Sequence, residues 1–158
     1  MARHPENSEN KVSETFKKRL ISLIAETDYN RKEFASFVGL NKEVLTRATL
    51  YGIIPGVRSL IIIADKLEIG IEYLLGDSDD RDFYPSQEGH TFHSRLTELA
   101  AAKEINFSAL ASQMPFAHNS IYEWMRTGGL PSLDYLKALA VYFDVSVDYL
   151  LGRTDDRK

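Results

Sequence analysis

The ending EYLLGDSDD at residues 72–80 returns as DYLLGRTDD at 148–156, 76 positions further on. Sliding the chain on itself by that distance keeps register without a gap from Phe16 on Phe92 to Asp80 on Asp156. Of these 65 pairs 18 are identical, among them Arg19/Arg95, Leu20/Leu96, Leu23/Leu99, Ala35/Ala111, Gly52/Gly128, Pro55/Pro131, Leu60/Leu136 and Ala64/Ala140. A repeat of this length limits the fold severely, because each copy carries its own apolar periodicity and can close its own small core. The spacing predicts two tandem domains. A polar arm covers 1–12, a first domain 13–80, a linker 81–91 and a second domain 92–158. The linker reading rests on RDFYPSQEGHT, a run of Pro, Gly and polar residues.

Helical periodicity fills both copies. Phe16, Leu20, Leu23 and Ile24 form one apolar stripe, which predicts a helix over 14–26. Asn30 and Glu33 have capping-box spacing ahead of a short helix over 31–38, and Gly39 stops it. Asn41 caps a third helix over 42–50. Gly52 and Pro55 break the chain before a fourth over 57–67, and a fifth covers 71–75. The second copy predicts helices over 91–103, 108–114, 118–126, 133–143 and 147–151, with Asn106, Ser132 and Ser146 as N-caps. No stretch has sustained period-two alternation, so the class is all-α. Trp124 falls on an inward-facing position, and Tyr73 and Tyr149 are expected to pack under the last helix of each copy.

Several function classes drop out. There is no cysteine, hence no disulfide frame, thiol nucleophile or cysteine zinc site, and a reducing cytoplasm suits the chain. The longest apolar run, Leu60–Ala64, is far too short for a membrane span. No phosphate loop, nucleophile elbow or paired catalytic carboxylates are present, so neither an enzyme nor a small-molecule substrate is expected. His90 and His93 lack further ligands, and the acidic ends lack the glycine and distal glutamate of a calcium loop, so neither a metal nor a cofactor is expected. The net charge of −4 does not advertise nucleic acid. Residues 16–80 hold nine Lys/Arg against ten Asp/Glu, and residues 92–156 five against eight. Local placement must therefore carry any such case.

That placement lies around the second and third helices. Ala35 precedes Gly39 by four and Leu45 follows it by six: a small residue where helices cross, a turn glycine, and an aliphatic anchor. With IYEWMRTGGLPSLDYLKALAVYFDVSVDYLLGRTDD at 121–156 and its diverged partner at 45–80, the chain resembles the Cro and phage-repressor (xenobiotic-response-element-like) helix-turn-helix family. The resemblance implies two tandem five-helix lambda-repressor-like domains, bacterial or prophage in setting, acting on double-stranded DNA as a transcriptional regulator of repressor type. In such domains the third helix enters the major groove while the second crosses the backbone.

Carried onto this chain position by position, the resemblance assigns base contacts to Asn41, Lys42, Glu43, Thr46 and Arg47, and phosphate contacts to Arg31 and Lys32. Asn, Lys and Arg can read adenine or guanine edges. The second copy offers His118, Asn119, Tyr122 and Arg126. It departs from the pattern at Phe107, which cannot hold a phosphate, and at Pro115, which cannot take the positive φ of a turn glycine. An alternative follows: an interaction or dimerisation module in which the second copy no longer binds DNA. Ile61 replaces the lysine found at 137, which marks the Ile61 region as a candidate homodimer surface.

Overall fold

The computed structural model describes residues 11–158. Most of the polar arm thus lies outside the described residues. The chain forms two compact units, Met1–Asp82 and Phe83–Lys158. The first contains α1 (Glu14–Ala25), α2 (Arg31–Val38), α3 (Lys42–Tyr51), α4 (Val57–Leu67) and α5 (Ile71–Leu74). The second contains α6 (Phe92–Ala102), α7 (Phe107–Ala111), α8 (Ser120–Thr127), α9 (Leu133–Phe143) and α10 (Val147–Leu150). Among the described residues there is no strand, only the isolated bridges Val12↔Ile53 and Pro85↔Thr154. No helix among them is long and apolar enough to cross a membrane.

In the first unit α1 lies against α3 and α5, and α2 lies against α3 and α4. The stripe of α1 supplies Phe16, Leu20 and Leu23 to the core, while Ile24 is half-buried. Phe34, Leu45, Leu60, Ile63 and Leu74 complete it, each fully enclosed. Enclosing one such side chain stabilises the fold by about 1.5–3 kcal/mol. The second unit uses Phe92, Leu96, Leu110, Ile121, Leu136 and Leu150 in the matching places. Half-buried Trp124 packs edge-on against Phe92 and Phe116, with ring centroids 6.0 and 4.9 Å away.

Helix limits follow the sequence closely in the first unit and diverge in the second. Instead of 108–114, α7 stops at Ala111, and α8 starts at Ser120 rather than His118. Eight residues separate these helices where three suffice between α2 and α3. Pro115 stands where Gly39 would be, and no residue of 112–119 adopts positive φ. Without a left-handed residue the chain cannot reverse in three positions, so it takes a longer path that buries Phe116.

The repeated endings close each unit on its own first helix. Gly76 (φ +79) and Gly152 (φ +78) end the last helical turns in the left-handed region. A Cβ at Gly76 would lie 2.8 Å from the Thr15 carbonyl oxygen, and one at Gly152 would lie 2.3 Å from that of His90. A cationic staple completes each closure. The Arg19 guanidinium lies 3.9 Å from the Tyr73 ring centre and reaches Asp79 at 3.1 Å. Arg95 lies 3.8 Å from the Tyr149 ring and 3.5 Å from Asp155. Tyr73 and Tyr149 therefore serve as platforms for arginines rather than as plain core. Each contact of this kind is worth about 0.5–2 kcal/mol, most where water is excluded, and Arg95 is only 1% exposed.

The segment read as a linker makes contacts of its own. Arg81 donates to both Glu26 oxygens at 2.9 and 2.7 Å within the first unit. In the second, Ser86 and the Gln87 N–H donate to Asp155 at 2.6 and 3.0 Å, and the Thr154 hydroxyl donates to the Tyr84 carbonyl at 2.7 Å. Composition alone hides this, because the partners lie about 55–70 positions away in sequence.

Two outcomes test these closures. Gly152→Ala combines a strained left-handed φ with a backbone clash, and should destabilise the second unit by more than about 2 kcal/mol. Gly39→Ala meets nothing within 4 Å and should lose only the left-handed penalty of about 1–2 kcal/mol; thermal melts of both variants measure the difference. The hydrogen bonds from Arg81 hold the Glu26 pKa below the ordinary carboxylate value. A depressed folded pKa means that the clamp stabilises above the ordinary value and is lost as pH falls through the folded one. Arg81→Gln should return the Glu26 midpoint to the ordinary range in an NMR carboxyl titration.

Candidate nucleic-acid interface

Gly39, Leu40 and Asn41 are all that separate α2 from α3. Gly39 sits at φ +85, and its N–H and that of Leu40 both donate to the Ala35 carbonyl at 2.9 Å. Ala35, 3% exposed, leaves room for the helices to meet closely. Asn30 caps α2 in a full capping box with Glu33, both bonds at 2.8 Å. On α3, Leu45 and Ala48 face the core, which turns the opposite face outward.

That outer face carries Asn41, Lys42, Glu43 and Arg47, all exposed, with Thr46 half-buried. Lys32 is exposed and Arg31 half-buried on the first turn of α2. The side chains of Arg31, Lys32, Lys42 and Arg47 make no ion pair with any described residue. Four cations thus stand open on α2 and α3, although the unit as a whole is not basic. Asn41 is differently placed. Its side-chain oxygen accepts from the Glu43 N–H at 2.9 Å as the cap of α3. The capping bond takes one of the two lone pairs of that oxygen and leaves the amide donors open.

The corresponding surface of the second unit is internally paired. His118 and Asn119 precede α8 instead of lying on it. The His118 ring shares a hydrogen bond with Ser108 at 3.0 Å. Tyr122 stacks edge-on against Phe107, centroids 6.1 Å apart. Arg126 donates to Glu123 at 2.6 Å. Phe107 stands at the position of Arg31 and contributes an aromatic face where the first unit has a cation. The ungapped register with the first copy suggested a continuous third-helix face here; the turn at Pro115 shifts half of it off the helix.

Other sequence expectations resolve as follows. His90 pairs with Glu88 and Glu98, at 3.0 and 3.5 Å, while His93 bonds the Gly129 carbonyl at 2.8 Å. The two rings thus serve different partners. Among the described residues no group of three or more His, Cys, Asp or Glu could hold a metal. In the isoleucine run Ile63 is core, Ile61 half-buried and Ile62 40% exposed. Reading the sequence missed the arginine staples, whose signal was present: Arg19/Arg95 and Tyr73/Tyr149 are identical pairs. One step past the matched endings, Arg81/Arg157 extends the series, each lying near the same tyrosine, at 5.6 and 5.4 Å.

Comparison with known proteins adds a class. YobD of Bacillus subtilis (strain 168), named as an uncharacterized HTH-type transcriptional regulator, is 40% identical over 62 residues, 39% of this chain and 55% of that protein. The HTH-type transcriptional activator BcrR of Enterococcus faecalis is 30% identical over 61 residues, 39% of this chain and 30% of that protein. The chain thus spans about half the length of the first relative and under a third of the second. No family model matches the chain, and no solved structure does. The similarity is to helix-turn-helix-type transcriptional regulators, over about the length of one repeat.

The capping role of Asn41 separates stability from recognition. Asn41→Ala should lower stability by about 1 kcal/mol, the usual loss of an N-cap. Lys42→Ala and Arg47→Ala, whose side chains make no ion pair with a described residue, should leave the midpoint within about 0.5 kcal/mol. Chemical denaturation of the three variants checks this.

Proposed function

We propose that this protein is a sequence-specific DNA-binding transcriptional regulator of the Cro and phage-repressor helix-turn-helix type, built from two tandem domains and working in the cytoplasm. Its first unit is the reader. The observation that carries the reading is the cluster of open cations around the α2–α3 turn, on a unit with no net positive charge. In this reading α3 lies in the major groove, with Lys42, Glu43, Thr46 and Arg47 toward the base edges. Arg31 and Lys32, on the first turn of α2, hold phosphates. Asn41 positions the helix by capping it. Repression is the simplest output, because occupancy alone excludes other proteins from the operator.

A second reading is favoured for the second unit. Its α7 is cut to five residues, its turn is lengthened, and His118, Tyr122 and Arg126 are engaged within the unit. To meet DNA, these side chains would have to leave Ser108, Phe107 and Glu123. This unit therefore acts as an interaction module and contributes no base contacts.

Gel-shift titration with a site selected from random duplexes tests both readings. The double variant Lys42→Ala/Arg47→Ala should abolish specific binding, and Arg31→Ala/Lys32→Ala should reduce the magnitude of the salt slope by about 2, one for each lost phosphate cation. His118→Ala/Arg126→Ala should leave affinity and site unchanged. Binding by the wild-type chain that ignores sequence, or that is lost with the second pair, would overturn the assignment.

A further inference from the structure

Glu43 is an odd residue for a surface held against phosphates. It occupies the first turn of α3, is exposed, and stands four residues before Arg47. A glutamate four residues ahead of an arginine is the favoured order for a helix ion pair. No such pair forms here: neither side chain lies within 4.0 Å of an oppositely charged described residue. The second unit shows the contrast, where Glu123 and Arg126, three apart on α8, close at 2.6 Å. In the first unit a carboxylate and a guanidinium remain open side by side, one acceptor and one donor fork on the same helix face.

Resting on the reading that α3 enters the major groove, we propose that Glu43 and Arg47 are a matched pair that selects G·C base pairs. Arg47 donates its fork to guanine O6 and N7, and Glu43 accepts from a cytosine N4 amino group. Neither thymine nor guanine offers a donor to Glu43 there: thymine presents the O4 acceptor and a methyl, guanine two acceptors. A carboxylate also repels the phosphate backbone, so Glu43 weakens binding wherever no amino group meets it. It therefore acts by exclusion as much as by attraction. Adenine N6 is a donor as well, but the N7 acceptor beside it faces the carboxylate with a second lone pair, which leaves cytosine as the better partner. The roles are separable: Arg47 supplies affinity and fixes a guanine, and Glu43 lowers affinity for wrong sequences.

The test uses the full chain. A site is selected from random duplexes for the wild type, Glu43→Gln and Arg47→Lys, and binding to the selected and to unrelated duplexes is followed by fluorescence anisotropy at fixed salt. We expect the wild-type site to contain a required cytosine and a required guanine. Glu43→Gln should lose at least about fivefold of discrimination at the cytosine while binding unrelated duplex more tightly. Arg47→Lys should keep the charge, and with it binding to unrelated duplex, but lose preference for the guanine. Both positions are exposed and unpaired, and an unchanged melting curve confirms that each variant is folded. If Glu43→Gln selects the same bases with the same discrimination, the inference is overturned while the groove-reading function stands. If the wild type selects no sequence at all, both fall together.

Discussion

Each unit depends on one close approach, the contact of its last helical turn with the start of its first helix. Gly76 and Gly152 permit it because no Cβ fits there, and Arg19 and Arg95 hold it by laying a guanidinium on Tyr73 and Tyr149. The remaining helices are packed between these two ends. Short helices of four to twelve residues are individually unstable in water, so closure of the chain ends is what makes their shared core worth forming. The repeated YLLG endings thus record a requirement of the fold, not of the function.

The contrast between the units shows how one architecture can hold two surfaces. The core positions tolerate exchanges such as Phe34 for Leu110 and Leu45 for Ile121, because volume and apolarity are roughly kept. The exposed faces obey no such rule. In the first unit the cations around the α2–α3 turn are left open, and in the second the equivalent region is knitted to itself by Ser108–His118, Phe107–Tyr122 and Glu123–Arg126. An unpaired surface cation adds little to stability, so the open arrangement of the first unit costs the fold almost nothing and leaves the charges available to a polyanion.

Much of the fold was legible in the sequence. Asn30, Asn41, Asn106, Ser132 and Ser146 all cap helices as their spacing predicts, because capping is a local interaction that short spacing encodes. The α7–α8 region was not legible, because an ungapped register forces equal element lengths, and only the three-dimensional path around Pro115 reveals that a longer turn is needed. The partners of residues 81–90 were hidden for another reason. A polar segment rich in Pro and Gly reads the same whether it is solvated or tied down, and its partners Glu26 and Asp155 carry no mark in the sequence. In the candidate site of the first unit, residue types and the Asn41 cap were readable from local spacing, whereas the pairing of His118 with Ser108 and of Tyr122 with Phe107 was not, since those partners lie on another helix.

The close approach of Gly76 to Thr15 and of Gly152 to His90 and Thr91 brings the exit of each unit to its entrance. A unit whose exit touches its entrance behaves as a closed bead. Such a bead can be copied within a gene or permuted at its ends without disturbing its interior. Joining two such beads in one chain asks for no change inside either.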